Sequence, residues 1–277
     1  MDAHLAEKLG RLAGSEGKWL GEAEAVEFRV SERPSSAALA DILEDRPVDY
    51  AVLPAKKRKK HLLVADMDST MIGQECIDEL GAVAGVGDKI AAITARAMTG
   101  ELDFETALKQ RLALMKGLAA DAITRILADR ISFEPGGETL LATMKKNGAY
   151  CALVSGGFSQ FTRHVASHLG FDEDRANELV IAGGKLTGAA REPILGEAAK
   201  VAALLELTEK RGLGAKDSIA VGDGANDIPM LLEAGMGVAL HAKPKVQAVA
   251  PIRINHGDLT ALLYLQGYRK DEFVSPS

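Results

Sequence analysis

Apolar residues along this chain recur with two spacings, and the switches between them predict its elements. Short unbroken runs, Leu62 to Ala65, Tyr150 to Val154 and Ser218 to Val221, have the length and character of strands buried on both faces of a parallel sheet. After Glu75 the spacing changes to three and four. Cys76 to Ala84, Asp88 to Met98, Phe104 to Met115 and Ala120 to Ala128 are predicted as helices, separated by Gly85-Val86-Gly87, Gly100 and Gly117. Four short helices inserted after the first core strand read as a bundle. From Glu138 helix and strand alternate, which implies parallel strands joined by right-handed crossovers. Leu179 to Ala182 and Lys185 to Thr187, joined through Gly183-Gly184, carry hairpin turn chemistry. Gly237 to Leu240 and Ile252 to Ile254 extend the sheet, and Asp258 to Leu265 closes it as a helix. The expected fold is α/β: a Rossmann-like doubly wound parallel sheet over 55–74 and 135–277, with a helical bundle, 75–134, inserted into it.

Ahead of this core, residues 1–54 are predicted to form a small α+β unit. Ala3 to Ala13 has helical spacing, Ala25 to Val30 and Asp49 to Leu53 read as strands, and Ser35 to Leu43 as a capped helix between them. Lys56-Lys57-Arg58-Lys59-Lys60 is an unbroken basic run. It reads as a solvated linker at a domain boundary, because the chain as a whole is acidic: the net charge is -6 over 277 residues and the pI about 5.6. That balance argues against a general nucleic-acid binder. No apolar stretch approaches the roughly 20 residues needed to span a bilayer, and the amino terminus carries no signal-peptide hydrophobic region. A cytoplasmic protein with neither nucleic acid nor membrane as partner is expected. Two cysteines, Cys76 and Cys151, make no disulfide framework, and six histidines lack the spacing of zinc ligands.

The polar residues worth chemistry gather where the apolar runs end. Asp66 and Asp68 follow the first strand, with Ser69 and Thr70 beyond them; Asp223 and Asp227 follow the run ending at Val221. In open α/β sheets the carboxyl ends of strands are where ligands bind. Paired acids there suit a hard cation bound through oxygen, magnesium or calcium, although Asp-x-Asp-Ser-Thr also suits a plain turn and helix cap. Tyr150 to Val154 runs into Ser155-Gly156-Gly157, which offers a hydroxyl and free amides ahead of a helix, and Lys200 lies on a helical pattern. Cation, hydroxyl, amides and ammonium together describe a phosphate site.

Asp66-Met67-Asp68-Ser69-Thr70, Ser155-Gly156-Gly157-Phe158, Lys200 and Gly222-Asp223-Gly224-Ala225-Asn226-Asp227 stand in the order, and roughly the spacing, of four family motifs. On these residues the chain resembles the haloacid dehalogenase-like phosphatases over about residues 61 to 268. Within that family Gln74-Glu75, Leu102-Asp103-Phe104-Glu105 and Arg111 point to the subgroup that hydrolyses phosphoserine in the last step of serine biosynthesis. The resemblance implies that Asp66 is a nucleophile forming an aspartyl phosphate and that Asp68 is the acid and base around it. It implies magnesium on the side chains of Asp66 and Asp223 and the backbone carbonyl of Asp68. Ser155, the Gly156 amide and Lys200 would then take the phosphate. Glu75 and Arg111 would take the substrate's ammonium and carboxylate, and Met98 and Phe104 would close over it from a cap formed by the bundle. Asn226 would stand beside the substrate and Asp227 behind it, orienting the metal's waters and the lysine. The plainer readings stay open: an exposed helix lysine at 200 or arginine at 111, a helix-start acid at 75, and bundle packing at 98 and 104. In position, residues 1–54 resemble the amino-acid-binding regulatory domains of some family members, and a homodimer is possible. The alternatives are a magnesium-dependent phosphatase or phosphomutase for another small phosphomonoester, or a signalling module whose aspartate accepts phosphate.

Overall fold

The computed structural model describes residues 2–275. Helix α1, Ala3–Ala13, begins where the Asp2 carboxylate accepts from the Leu5 amide at 2.7 Å and ends at Gly14 in the left-handed region. Strands β1, Lys18–Gly21, and β2, Ala25–Glu27, pair antiparallel, and Ser35 caps α2, Ser36–Leu43. The predicted strand from Asp49 to Leu53 does not form. The Asp49 carboxylate instead accepts from the amides of Asn255, His256 and Gly257 at 2.8, 3.0 and 2.8 Å. Ala51 and Leu53 pack against the core, so the apolar alternation is used without any ladder.

The basic run is not a solvated linker throughout. Lys56, Lys57 and Lys59 are exposed, but Lys60 is buried and its ammonium donates to the Lys216 carbonyl at 2.5 Å. Arg58 pairs with Glu27 at 2.6 Å and donates to the carbonyls of Leu265 and Tyr264 at 3.0 and 3.1 Å. Residues 1–54 are thereby fastened to the far end of the chain, around an apolar cavity of about 780 Å³ bordered by Leu9, Leu39, Leu43, Tyr50 and Leu265.

The core strand β3, Leu62–Ala65, is followed by four helices: α3, Cys76–Val83; α4, Gly87–Met98; α5, Phe104–Leu114; and α6, Asp121–Asp129. The chain then alternates through α7, Gly137–Lys146; β4, Tyr150–Phe158; α8, Ser159–Leu169; and β5, Glu173–Asn177. The hairpin of β6, Leu179–Ala182, and β7, Lys185–Ala190, precedes α9, Glu197–Lys210. Strand β8, Ser218–Gly222, leads to α10, Ile228–Glu233; β9, Met236–Leu240; α11, Pro244–Gln247; β10, Ile252–Ile254; and α12, Ala261–Leu265. Among the described residues no helix is long and apolar enough to cross a membrane.

The six strands of the main sheet run parallel in the order β10-β9-β8-β3-β4-β5. Alternation along its strands separates two cores. Leu63 and Ala65 face α7, α8, α12 and the inserted helices, whereas Leu62 and Val64 face α9, α10 and α11. Covered on both faces, β3 has no polar position, which is why it was plain in the sequence. The β6–β7 hairpin stays out of this sheet. It grips the α5–α6 connection instead, through Gly117 N to Leu186 O, Leu186 N to Leu118 O and Ala120 N to Gly184 O, all 2.8 Å. Gly188, at φ +84°, permits this approach, since a Cβ there would lie 3.2 Å from the Leu112 carbonyl oxygen.

Candidate active site

The parallel ladder delivers the first acid. The Asp66 amide donates to the Val221 carbonyl at 3.0 Å, one step beyond the last β3 residue, and its Oδ1 accepts from the Met67 amide at 2.8 Å. The chain then folds back sharply: the amides of Thr70, Met71 and Ile72 converge on the Met67 carbonyl at 3.3, 2.9 and 3.1 Å, with Ser69 at φ +53°. This turn aims Asp68 across the same strand end, where its Oδ1 accepts from the Cys76 amide at 3.3 Å.

The second arm comes from β8. Gly222 lies so close to Asp227 that a Cβ there would fall 2.3 Å from the Asp227 carboxyl carbon, so only glycine fits. Lys200, on α9 and 2% exposed, donates to Asp66 Oδ1 at 2.7 Å and to Asp227 Oδ1 at 2.6 Å. Asp227 Oδ2 accepts from the Gly224 amide at 3.0 Å, leaving that carboxylate engaged at both oxygens. Asp223 is held weakly by comparison: Thr70 Oγ1 is 3.5 Å from its Oδ1 and Lys243 Nζ 3.7 Å from its Oδ2.

Among the described residues Asp66, Asp223 and Asp227 place one carboxylate oxygen each within 4.8 Å of one another. Burial, and then the neighbouring Asp227, push the Asp66 carboxyl well above the usual range, while Lys200 pulls it down. Burial likewise raises Asp223, to about 6, with Lys243 opposing. Acids crowded in this way are relieved by one more positive charge, and an all-oxygen donor set suits a hard divalent cation. Asp66 and Asp223 keep the freer oxygens. Asp68 is raised to about 7, by burial first and then by Glu75, so it can carry a proton near neutral pH. Cys76, which touches Asp68, is pushed far up by burial and by that carboxylate and is no nucleophile.

The other predicted residues divide between those brought to the site and those left outside it. Ser155, 3% exposed, accepts from the Gly157 amide at 2.9 Å through its hydroxyl oxygen. A Cβ on Gly157 would stand 2.9 Å from Asp68 Oδ2, so this end of β4 lies directly against the acid. The Phe104 ring covers Gly156 and Gly196, at 3.0 and 3.3 Å from the Cβ either would carry. Asn226 is half-buried, its Oδ1 folded against Gly224. Glu75 Oε1 accepts from Ser69 Oγ at 2.9 Å. Arg111 is half-buried and donates to the Ala107 carbonyl and to Thr94 Oγ1, both at 3.3 Å. Burial lowers its guanidinium, with Asp78 and Glu75 opposing. Met98 stands apart at the end of α4, 68% exposed.

Three residues here had not been singled out in the sequence. Asn177 is 2% exposed; its amide donates to the carbonyls of Gly156 and Leu195 at 2.9 and 3.1 Å, and its oxygen accepts from the Leu195 amide at 2.7 Å. It ties the Ser155 end of β4 to the segment entering α9. Lys243, just past the carboxyl end of β9, could have been found by the strand-end rule that found the acids. Thr94 carried no signal at all.

The description haloacid dehalogenase-like hydrolase fits residues 63–232. The chain is 41% identical over 253 residues to the phosphoserine phosphatase of Streptomyces coelicolor, covering 90% of this chain and 62% of that one. It is 44% identical over 223 residues to the phosphoserine phosphatase of Haemophilus influenzae, covering 80% of this chain and 71% of that one. The crystal structure of a "probable phosphoserine phosphatase" from Vibrio cholerae superposes with a TM-score of 0.80 at 30% identity, over 98% of this chain and 85% of that one. This chain thus spans less than two thirds of the Streptomyces protein.

Proposed function

The chain belongs to the haloacid dehalogenase-like hydrolase family, and from that premise we propose that it hydrolyses phosphoserine to serine and phosphate. The observation that carries the substrate is the pair Glu75 and Arg111. Each is held by a hydroxyl, Ser69 and Thr94 respectively, and the two form no ion pair with each other. An acid and a base so placed match the ammonium and carboxylate that distinguish phosphoserine from a bare phosphate ester. In this reading the reaction is the last step of serine formation in the cytoplasm.

Asp66 attacks phosphorus with the carboxylate oxygen that Lys200 leaves free, and the bond from phosphorus to the serine oxygen breaks. Asp68 gives its proton to that oxygen. It then takes a proton from water, whose oxygen bonds phosphorus, releasing phosphate and restoring Asp66. Ser155 Oγ, the Gly156 amide and the Lys200 ammonium hold the phosphoryl oxygens and favour the transition state as charge moves onto them. The carboxylates of Asp66 and Asp223 and the Asp68 backbone carbonyl would hold magnesium, with Asp227 orienting Lys200. Bound there, magnesium neutralises phosphoryl charge. The inserted helices act as the cap, with Phe104 as its wall over Gly156.

The test is kcat/KM over phosphoserine, phosphothreonine, phosphoethanolamine and sugar phosphates, with Arg111→Ala and Glu75→Gln beside the unaltered enzyme. Charge-assisted contacts of about 1.5 to 3 kcal/mol predict losses of about ten- to a hundredfold on phosphoserine. Phosphoethanolamine lacks the carboxylate, so Arg111→Ala should cost little on it. Equal losses on both esters, or preference for a sugar phosphate, would overturn the assignment.

A further inference from the structure

Arg111 is unusual for a half-buried guanidinium in having no carboxylate within ion-pair distance among the described residues. Its neighbours Asp78 and Glu75 act on it only through the field. Of its five N–H donors, one on Nε goes to Ala107 O and one on Nη1 to Thr94 Oγ1. Among the described residues both donors of Nη2 and one of Nη1 keep no partner. The Ala107 carbonyl lies one turn back on the same helix, so that contact fixes the stem of the side chain. Thr94 lies on α4, seventeen residues away in sequence, and its hydroxyl fixes the rotation of the fork about that stem. Without it the guanidinium plane could swing toward Asp78 or Glu75 and become paired.

From this geometry we propose that Thr94 is a positioning residue for substrate choice: it holds the Arg111 fork open to a carboxylate and keeps it from the acids at the same mouth. The inference rests on the reading that Arg111 meets the substrate carboxylate. Because the bond crosses from α4 to α5, the fork is set only when these two helices are packed together. Selectivity is thereby tied to the placement of α4. Glu75 has the corresponding arrangement with Ser69, but that hydroxyl belongs to the catalytic turn itself, whereas Thr94 touches nothing but the arginine fork among the hydrogen bonds of the site.

Thr94→Val removes the hydroxyl and keeps the shape. On the full chain with magnesium, KM for phosphoserine should rise about three- to tenfold, with kcat changed less than twofold, as expected for loss of binding common to ground and transition states. The ratio of kcat/KM on phosphoserine to that on p-nitrophenyl phosphate should fall by the same factor. Thr94→Ser should restore the ratio. In an Arg111→Ala background Thr94→Val should add nothing, because the group it orients is gone. A merely structural threonine would lower turnover of both esters and persist in that background, and that result would overturn the proposal. So would a Thr94→Val or Thr94→Ala enzyme with the unaltered ratio while Arg111→Ala is selective. If Arg111→Ala itself loses both esters equally, the substrate assignment fails first and the inference with it.

Discussion

Asn177 offers the most stringent check on how the Ser155 end of β4 is held. Its side chain is buried and makes three hydrogen bonds, two donated to Gly156 O and Leu195 O and one accepted from Leu195 N. Asn177→Ala deletes all three and leaves two carbonyls and an amide to find other partners. At about 0.5 to 1.5 kcal/mol for each bond, with more where a group stays unsatisfied, the loss should total about 3 to 5 kcal/mol. That is a large share of a typical folding free energy but not all of it. Because the same bonds fix the Ser155 end of β4 and the segment leading into α9, which carries Lys200, turnover should fall about tenfold or more. The fall should be alike on phosphoserine and p-nitrophenyl phosphate, unlike the selective loss at Arg111. Urea unfolding followed by circular dichroism gives the first number and steady-state kinetics the second. Asn177→Asp separates geometry from charge: it keeps the acceptor but turns both donations into repulsions. Its carboxyl should titrate high, so stability should be recovered as pH falls through the raised value. A change under 1 kcal/mol in Asn177→Ala with normal turnover would refute the clamp.

Asp68→Asn should still let p-nitrophenolate, a good leaving group, depart, but not let water be activated; rapid mixing should show a burst near one equivalent followed by slow turnover. No burst, with turnover merely lowered, would remove Asp68 from the second step. Lys200→Met leaves Asp66 and Asp227 buried without their cation and should cost about 3 to 5 kcal/mol at neutral pH. Burial already raises the Asp66 carboxyl in the folded state, so it binds its proton more tightly there, and without the lysine this loss should shrink toward pH 5 and grow as pH rises; urea midpoints at several pH values, without metal, would show it, and a pH-independent loss would contradict the ion-pair account. Arg58→Met, which severs Glu27 from the Leu265 and Tyr264 carbonyls, should lower stability by about 2 to 3 kcal/mol while leaving kcat within twofold. An unchanged urea midpoint would show that residues 1–54 are not held there.

What could be read from the sequence follows a physical division. Strands β3, β4 and β8 are legible because both faces are covered, so burial writes itself as an apolar run. Strand β5, Glu-Asp-Arg-Ala-Asn, sits at the sheet edge and spends its side chains on polar contacts, Arg175 with Glu173 and Glu206, Asn177 with the Gly156 carbonyl; no periodicity announces it. Asp49 to Leu53 fails the other way, since its alternating apolar residues pack without pairing. The same division runs through the site. Asp66, Asp68 and Asp223 carry their own charges, which residue type and strand-end position reveal; Lys200, inside the helix α9, is legible only through the order of the four motifs. Asn177, Thr94 and Arg58 act by holding another group, brought to each by the fold from 17 to 207 residues away. Such residues have no chemistry of their own to betray them. The consequence is asymmetric: substitutions at the legible set should stop the reaction, whereas those at the holding set should change how well it is fixed or which ester it accepts. Variation in substrate choice among chains with the same four motifs is therefore to be sought at positions like Thr94, where the hydroxyl can be lost without touching a reacting atom.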